Sequence, residues 1–324
     1  MGTFIIAMIM FLALVTIHEF GHFIVAKLSD IKVNEFAVGM GPEIFSKQSG
    51  ETKYSLRLLP IGGYCAMEGE DESSSDPRSY DNAPAFKRFL TILAGPVMNL
   101  LLAVIVFTIV AFNTGTSTTF VGGFSENSPA KEAGISTDDQ IVAINDQNIE
   151  EFTDISKILA DYYGKNAKDS PVEVVTKTAE GSEKTYNITP TFENDIPLLG
   201  IASKMRNVNF AEAIGLGFKE TWRNVKMIFN ILGMLITGKL SFGALSGPVG
   251  VVKEIGNQAQ NGAMSVLYFL SYISVNLAVF NLIPFPALDG SKLVTNLYEM
   301  ITKKRVNKKI EERVTIVGFI ILIS

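Results

Sequence analysis

The chain reads as a polytopic α-helical membrane protein with a soluble α+β domain inserted between its spans, and three observations carry that reading. Apolar stretches run from Thr3 to Ala26, from Phe89 to Phe112 and from Val266 to Leu288, each long enough to cross a hydrocarbon core. Hydrophobic residues fill 47% of 324 positions and mean hydropathy is +0.26, too apolar for an ordinary soluble chain, yet 19% charged residues need water-exposed parts. Finally, Thr116 to Ser203 has soluble composition with strand-like alternation, as in Pro171-Val172-Glu173-Val174-Val175 and Lys184-Thr185-Tyr186-Asn187-Ile188.

Taken in order, the N-terminal membrane part occupies residues 1–112. Its first span, 3–26, lacks the basic leading region of a cleavable signal and is expected to be retained. Val33 to Tyr64 alternates, with apolar strands near Phe36 to Met40 and Tyr54 to Ile61 and bends at Gly39, Gly41 and Pro42 and at Gly62-Gly63. This predicts a β-hairpin dipping into the membrane interface. Glu68 to Pro84 is acidic and rich in Ser and Pro, the composition of a flexible loop, and 89–112 is the second span.

The C-terminal membrane part, 204–324, opens with Ala211 to Leu235. Its first half carries Glu212, Lys219, Glu220, Arg223 and Lys226, so it is expected to be an amphipathic interfacial helix rather than a span. The third span follows, with Asp289 closing it. A fourth apolar run, Val314 to Ser324, has eleven residues where roughly 20 are needed, so the sequence predicts a fourth transmembrane helix cut short. Lys27, Lys32, Lys87 and Arg88 flank the loop between the first two spans, and Lys303, Lys304, Arg305, Lys308, Lys309 and Arg313 crowd the loop before the last. Both loops are therefore expected on the cytoplasmic side, with the 116–203 domain outside.

A net charge of −5 and a pI near 5.3 leave no basic stripe for phosphates, which argues against nucleic-acid binding. The lone Cys65 excludes an internal disulfide and a cysteine metal cluster, and is expected to be a small packing residue. The two histidines of the whole chain stand four apart around a glutamate, His18-Glu19-Phe20-Gly21-His22. On a helix that spacing puts both imidazoles on one face, able to grip one Zn²⁺, with Glu19 placed as general base. A pair of interfacial histidines is the bland reading. Against it, Thr3 to Ala26 holds no other ionisable residue, and polar groups at membrane depth are costly without a function.

Zn²⁺ needs a further protein ligand. With the N-terminus outside, the first and third spans run parallel, and residues late in each come to one depth. His18, His22 and Asp289 would then hold one zinc per chain with a fourth position open. A helix-end carboxylate facing the cytosol is the alternative for Asp289. Pro284 and Pro286 cannot sustain regular helix, so they predict either an unwound stretch lining a cavity or a simple kink. Asn281 is suited to bonding that opened backbone or a substrate.

With those residues in place, the chain resembles the site-2 protease family of intramembrane zinc metalloproteases, in the bacterial branch that cleaves anti-sigma factors and remnant signal peptides. The resemblance rests on HEFGH in the first span, Phe36-Ala37-Val38-Gly39-Met40-Gly41-Pro42, Ala94-Gly95-Pro96-Val97-Met98-Asn99, Ser246-Gly247-Pro248-Val249-Gly250, and Asn281 to Gly290. Ser128-Pro129-Ala130-Lys131-Glu132-Ala133-Gly134-Ile135 with Asp139 to Asn145 resembles a single PDZ domain. Two positions depart from the pattern: Ser291 follows Gly290 where a second glycine is common, and Asp138-Asp139 replaces Gly-Asp.

The resemblance implies a zinc endopeptidase of the bacterial cytoplasmic membrane that cuts within or near the transmembrane segments of single-span proteins. It places the site toward the cytoplasm and the PDZ domain outside, and it makes the hairpin with Gly39 and Gly41 a membrane re-entrant loop that pairs with an unwound substrate. Asn99, Asn281, Pro284 and Pro286 become substrate contacts. The PDZ domain would either filter substrates already trimmed outside or bind a peptide carboxyl terminus. A different class of function is a PDZ membrane scaffold with structural zinc, but such a site closes with four protein ligands, for which the chain has few candidates. A transporter would need ionisable residues along a pathway, and only one cluster exists.

Overall fold

The computed structural model describes residues 2–70, 74–241, 243 and 247–323, so Asp71 to Ser73 of the acidic loop, Ser246 of the Ser246 to Gly250 motif and Ser324 lie outside it. The chain forms two compact units, Met1–Val110 with Ile214–Ser324, and Ala111–Ala213.

Among the described residues three helices are long and apolar enough to cross a membrane: α1 (Gly2–Leu28), α2 (Ala85–Thr114) and α7 (Ala263–Leu282). Three of their hydroxyls bond their own helix, Thr91 onto the Lys87 carbonyl, Thr108 onto Val104 and Ser271 onto Leu267, the economical solution for a helix in apolar surroundings. Packing relies on small residues. A Cβ at Gly21 would stand 2.4 Å from the Ala94 carbonyl oxygen, so α1 and α2 approach backbone to backbone. Ala7, Met10 and Leu14 of α1 bury against Ile255 and Ile273.

The amphipathic stretch forms α5 (Phe210–Ile236), which is not among the candidate spans. The fourth apolar run lies in α9 (Lys308–Ile323), sixteen residues that do not reach the length of a span either. In the first unit, two of the described helices were not anticipated from the sequence. One is α6 (Pro248–Gln260), whose Val251, Val252 and Ile255 pack on α1 and α7 although polar residues interrupt their pattern.

The other is α8 (Asp289–Thr302), which corrects the expected extent of the third span. α7 stops at Leu282, and 283–288 is irregular. Pro284 and Pro286 supply no N–H and push Ile283 and Phe285 out of the helical region, and Ala287 takes φ +74. Asp289 then starts a new helix, where a carboxylate in the first turn suits the positive end of the dipole.

The hairpin is more elaborate than a simple pair. β1 (Val33–Ser49) and β2 (Thr52–Met67) each double back, so Tyr54 pairs with both Phe36 and Lys47, while Phe36 also pairs with Cys65. The result is four adjacent limbs in the order 43–49, 52–57, 33–38 and 63–67. Gly39, Gly41 and Gly62 hold positive φ at the folds, and the folds expose Met40, Leu58, Leu59 and Ile61. Glu51 at the tip accepts from Lys27 at 2.6 Å and from Arg78 at 2.7 and 2.9 Å. The Arg78 guanidinium and the Lys27 ammonium hold its carboxyl down to about 2.

In the second unit the sheet order is β10 (Ile201–Arg206), β3 (Thr116–Phe124), β4 (Gln140–Ile144), β6 (Val172–Lys177) and β7 (Glu183–Ile188), with β5 (Gln147–Asn148) on β4. Alternate residues Val172 and Val174, with Val121, Ile141 and Ile144, bury against Ile155, Ile158 and Leu159 of α4 (Phe152–Tyr163). α3 (Pro129–Glu132) is capped by Ser128, and β8 (Thr191–Glu193) pairs with β9 (Ile196–Leu198). Asp138 sits at φ +71, so it holds by itself the left-handed turn that glycine would otherwise take.

Candidate metal centre

α1 carries His18 and His22 one turn apart on a face buried against α2. Their Nε2 atoms lie 3.1 Å apart. Asp289 Oδ2, brought in by α8, is 2.9 Å from His18 Nε2 and 3.3 Å from His22 Nε2. The ligand atoms of these three residues all lie within 4.8 Å of one another, though they come from opposite ends of the chain.

The far sides of both rings are held by α2. His22 Nδ1 is 2.9 Å from the Thr91 carbonyl, which can only accept, so that nitrogen carries the proton and Nε2 offers its lone pair to the centre. His18 Nδ1 faces the Asn99 side chain at 3.3 Å. Gly95 forms the floor: a Cβ there would stand 2.5 Å from His22 Nε2 and 2.8 Å from His18 Nε2. Two imidazole nitrogens and one carboxylate oxygen converging over a cradle without a side chain are a donor set that fits zinc and leaves a coordination position for substrate chemistry.

Asp289 is fixed by contacts around it rather than by its own helix alone. A Cβ at Gly290 would lie 2.0 Å from the Ile283 carbonyl oxygen, so glycine is required for α8 to start where it does. On α8, Lys292 donates to Glu70 at 2.7 Å, and Asn296 donates to the Tyr80 hydroxyl at 3.3 Å. Burial pushes the Tyr80 phenol up to about 12. Arg88 at the start of α2 bonds Glu299 at 2.5 Å. α9 packs against the irregular stretch before Asp289, with Gly318 so close to Pro286 that a Cβ would meet its carbonyl oxygen at 2.5 Å.

Glu19 Oε2 accepts the main-chain N–H of Cys65 at 3.1 Å. Cys65 belongs to the outer limb 63–67 of the folded hairpin, so that limb runs past the site. Its side chain is buried among Ala26, Ile31, Val33 and Met67. Asn281, Pro284 and Pro286 sit at the end of α7 and in the irregular stretch leading to Asp289. Gly39 is engaged inside the hairpin, where a Cβ would stand 2.7 Å from the Leu59 and 3.0 Å from the Arg57 carbonyl oxygen, and a Cβ at Gly41 would meet the Leu59 side chain at 3.4 Å. Asn99 is fully enclosed in α2, with its side chain against His18.

Sequence reasoning missed Gly95, the Thr91 carbonyl and the Cys65 N–H. Gly95 had a signal, a small residue beside Pro96 in an apolar helix, where close helix approach is expected. The two main-chain groups had none, because every residue there would present the same atoms.

Comparison with known proteins places these elements in a family. The profile of Peptidase family M50 matches residues 6–324. A protein of Clostridium acetobutylicum is 38% identical over 98% of this chain and 93% of its own length. One from Clostridium perfringens is 39% identical over 99% and 95%, and one from Fusobacterium nucleatum 34% identical over 99% and 95%. All three carry the provisional name of zinc metalloprotease.

Proposed function

The chain belongs to peptidase family M50, the site-2 protease family of zinc-dependent metallopeptidases, and from that premise we propose that it is an endopeptidase cutting peptide bonds within or near the membrane-spanning segments of single-span proteins. The observation that carries the reading is the meeting of His18 and His22 with Asp289, 271 positions from His18, beside a glutamate at helical spacing, with both histidines on a helix apolar enough to span. We assign His18, His22 and Asp289 as ligands and Glu19 as the general base. Zinc, when bound, acidifies a water and polarises the scissile carbonyl.

The residues of the chain do the rest. Glu19 takes the proton of the attacking water and returns it to the leaving amine. A substrate helix must unwind before its carbonyls are accessible, and an extended segment laid along limb 63–67 gains strand pairing in exchange. Such pairing takes the Cys65 N–H and frees Glu19 for the water. Pro284 and Pro286 leave an unwound stretch leading to Asp289, with Asn281 just before it offering an amide to the substrate backbone.

The basic loops support a site that faces the cytoplasm of a bacterial cytoplasmic membrane, with the 116–203 domain outside. We read that unit as a PDZ domain selecting substrates, through their trimmed outer ends or a free carboxyl terminus. Anti-sigma factors and remnant signal peptides are the substrate classes this arrangement suits. Purified wild type and Glu19→Gln incubated with a panel of single-span peptides, with products read by mass, test the proposal. Glu19→Gln is expected to keep its zinc and lose about 10²-fold or more in cleavage; unchanged cleavage would remove Glu19 as base.

A further inference from the structure

We propose that Asn99 is a positioning residue for the metal: its Oδ1 accepts the Nδ1–H of His18 and so turns the His18 Nε2 lone pair to the cation. The inference rests on the metal reading of the site given above.

Three observations support it. Asn99 is 0% exposed at mid-depth in α2, where a carboxamide has no reason to sit unless it is used. Its main chain is gripped from a third helix, since Ser274 of α7 donates to the Asn99 carbonyl at 2.8 Å. Its side chain lies against His18 Nδ1, while Asn99 Oδ1 finds no partner among the described residues.

The orientation follows from proton counting. With only side chains present, His18 Nε2 can donate to Asp289 Oδ2, and Nδ1 is then free to accept from the Asn99 amide at 3.3 Å. Once Nε2 gives its lone pair to a cation, the ring proton must reside on Nδ1. An amide nitrogen facing it is then donor against donor. The oxygen and nitrogen of an asparagine have almost the same shape, so a half-turn of the amide exchanges them within the same space. That half-turn leaves one end of the amide unpartnered, as before, but converts the near contact into a bond.

His22 gets the same service from the Thr91 carbonyl at 2.9 Å. Both imidazoles would thus be aimed from α2, one by a main-chain acceptor and one by Asn99. Outer partners of this kind typically contribute 10- to 100-fold in metal affinity.

The test measures zinc affinity by competition with a chromophoric chelator on Asn99→Leu, Asn99→Ala, Asn99→Asp and Asp289→Ala, each purified as the full chain, with melting of the metal-free form alongside. Leu keeps the volume and Ala relieves it, so at least one apolar variant should fold. Either is expected to lose roughly 10- to 100-fold in zinc affinity. Asp, which can only accept, is expected to stay within about threefold of wild type or bind more tightly. KM for a peptide substrate at saturating zinc is expected to be unchanged in the Asp variant. Wild-type affinity in Leu or Ala overturns the proposal, and so does an Asp variant as weak as Leu, because that would make Asn99 a donor. An apolar variant whose metal-free melting falls while its affinity does not assigns Asn99 to packing alone and also overturns it. Asp289→Ala separates the two readings: unchanged affinity there removes the metal centre itself, whereas a fall there with none at Asn99 removes only Asn99.

Discussion

Replacing Gly95 by alanine tests the tightest approach in the site. In an unhindered helix this exchange stabilises by about 0.5–1 kcal/mol. Here the new methyl would stand 2.5 Å from His22 Nε2 and Cε1 and 2.8 Å from His18 Nε2, about 1 Å inside the ~3.5–4 Å at which carbon atoms attract. His22 cannot step back without leaving the Thr91 carbonyl, nor His18 without leaving Asn99. Overpacking of this kind costs about 1–3 kcal/mol, which at 1.4 kcal/mol per decade corresponds to about 5- to 150-fold in zinc affinity. A ligand displaced by about 1 Å adds a further loss in rate of about 10²-fold. Zinc affinity from chelator competition and single-turnover cleavage at saturating zinc read the two effects separately. Gly215→Ala in α5, where a Cβ meets nothing within 4 Å, is the control and is expected to be neutral or slightly stabilising. A Gly95→Ala protein with wild-type affinity and rate would refute the cradle.

Two other outcomes follow from the hairpin. Cys65→Pro removes the N–H that holds Glu19 from a limb where proline is tolerated at the edge; zinc content should stay at wild type while cleavage drops by about 2- to 10-fold for one lost pairing bond, and normal cleavage would exclude that limb from substrate pairing. Glu51, held down to about 2 by Arg78 and Lys27, stabilises the hairpin tip above its ordinary value of 4.5, and that contribution is lost as the pH falls from 4.5 toward 2. Protection of the 49–52 amides, taken relative to their intrinsic exchange rate at each pH, should therefore fall through that window and stay constant in Glu51→Gln; constant protection in the wild type would contradict the latch.

The parts legible in the sequence were those with a strong local signature. Three long apolar runs had to be spanning-type helices, and an imidazole pair at i and i+4 had to share a face. Asp289 was reachable only by counting spans and matching depth, and the structure joins it to His18. What escaped depends on through-space partners. The doubling of β1 and β2 needs the register, in which Tyr54 serves two neighbours. α8 was hidden because an apolar run appeared to continue through Pro284 and Pro286, and α6 because its apolar face is short. Asn99 looked like any polar residue near a site until its enclosure was seen. The fourth run remains below spanning length in α9.

Because the atom that restrains Glu19 is a main-chain N–H, the sulfur at position 65 has no part in that restraint, and it is the only thiol in the chain. Cys65→Ala therefore yields a thiol-free background that keeps the amide. New cysteines at outward positions such as Phe45, 63% exposed, could then carry spin or fluorescent labels and report, in real time, whether the folded sheet shifts when a peptide arrives.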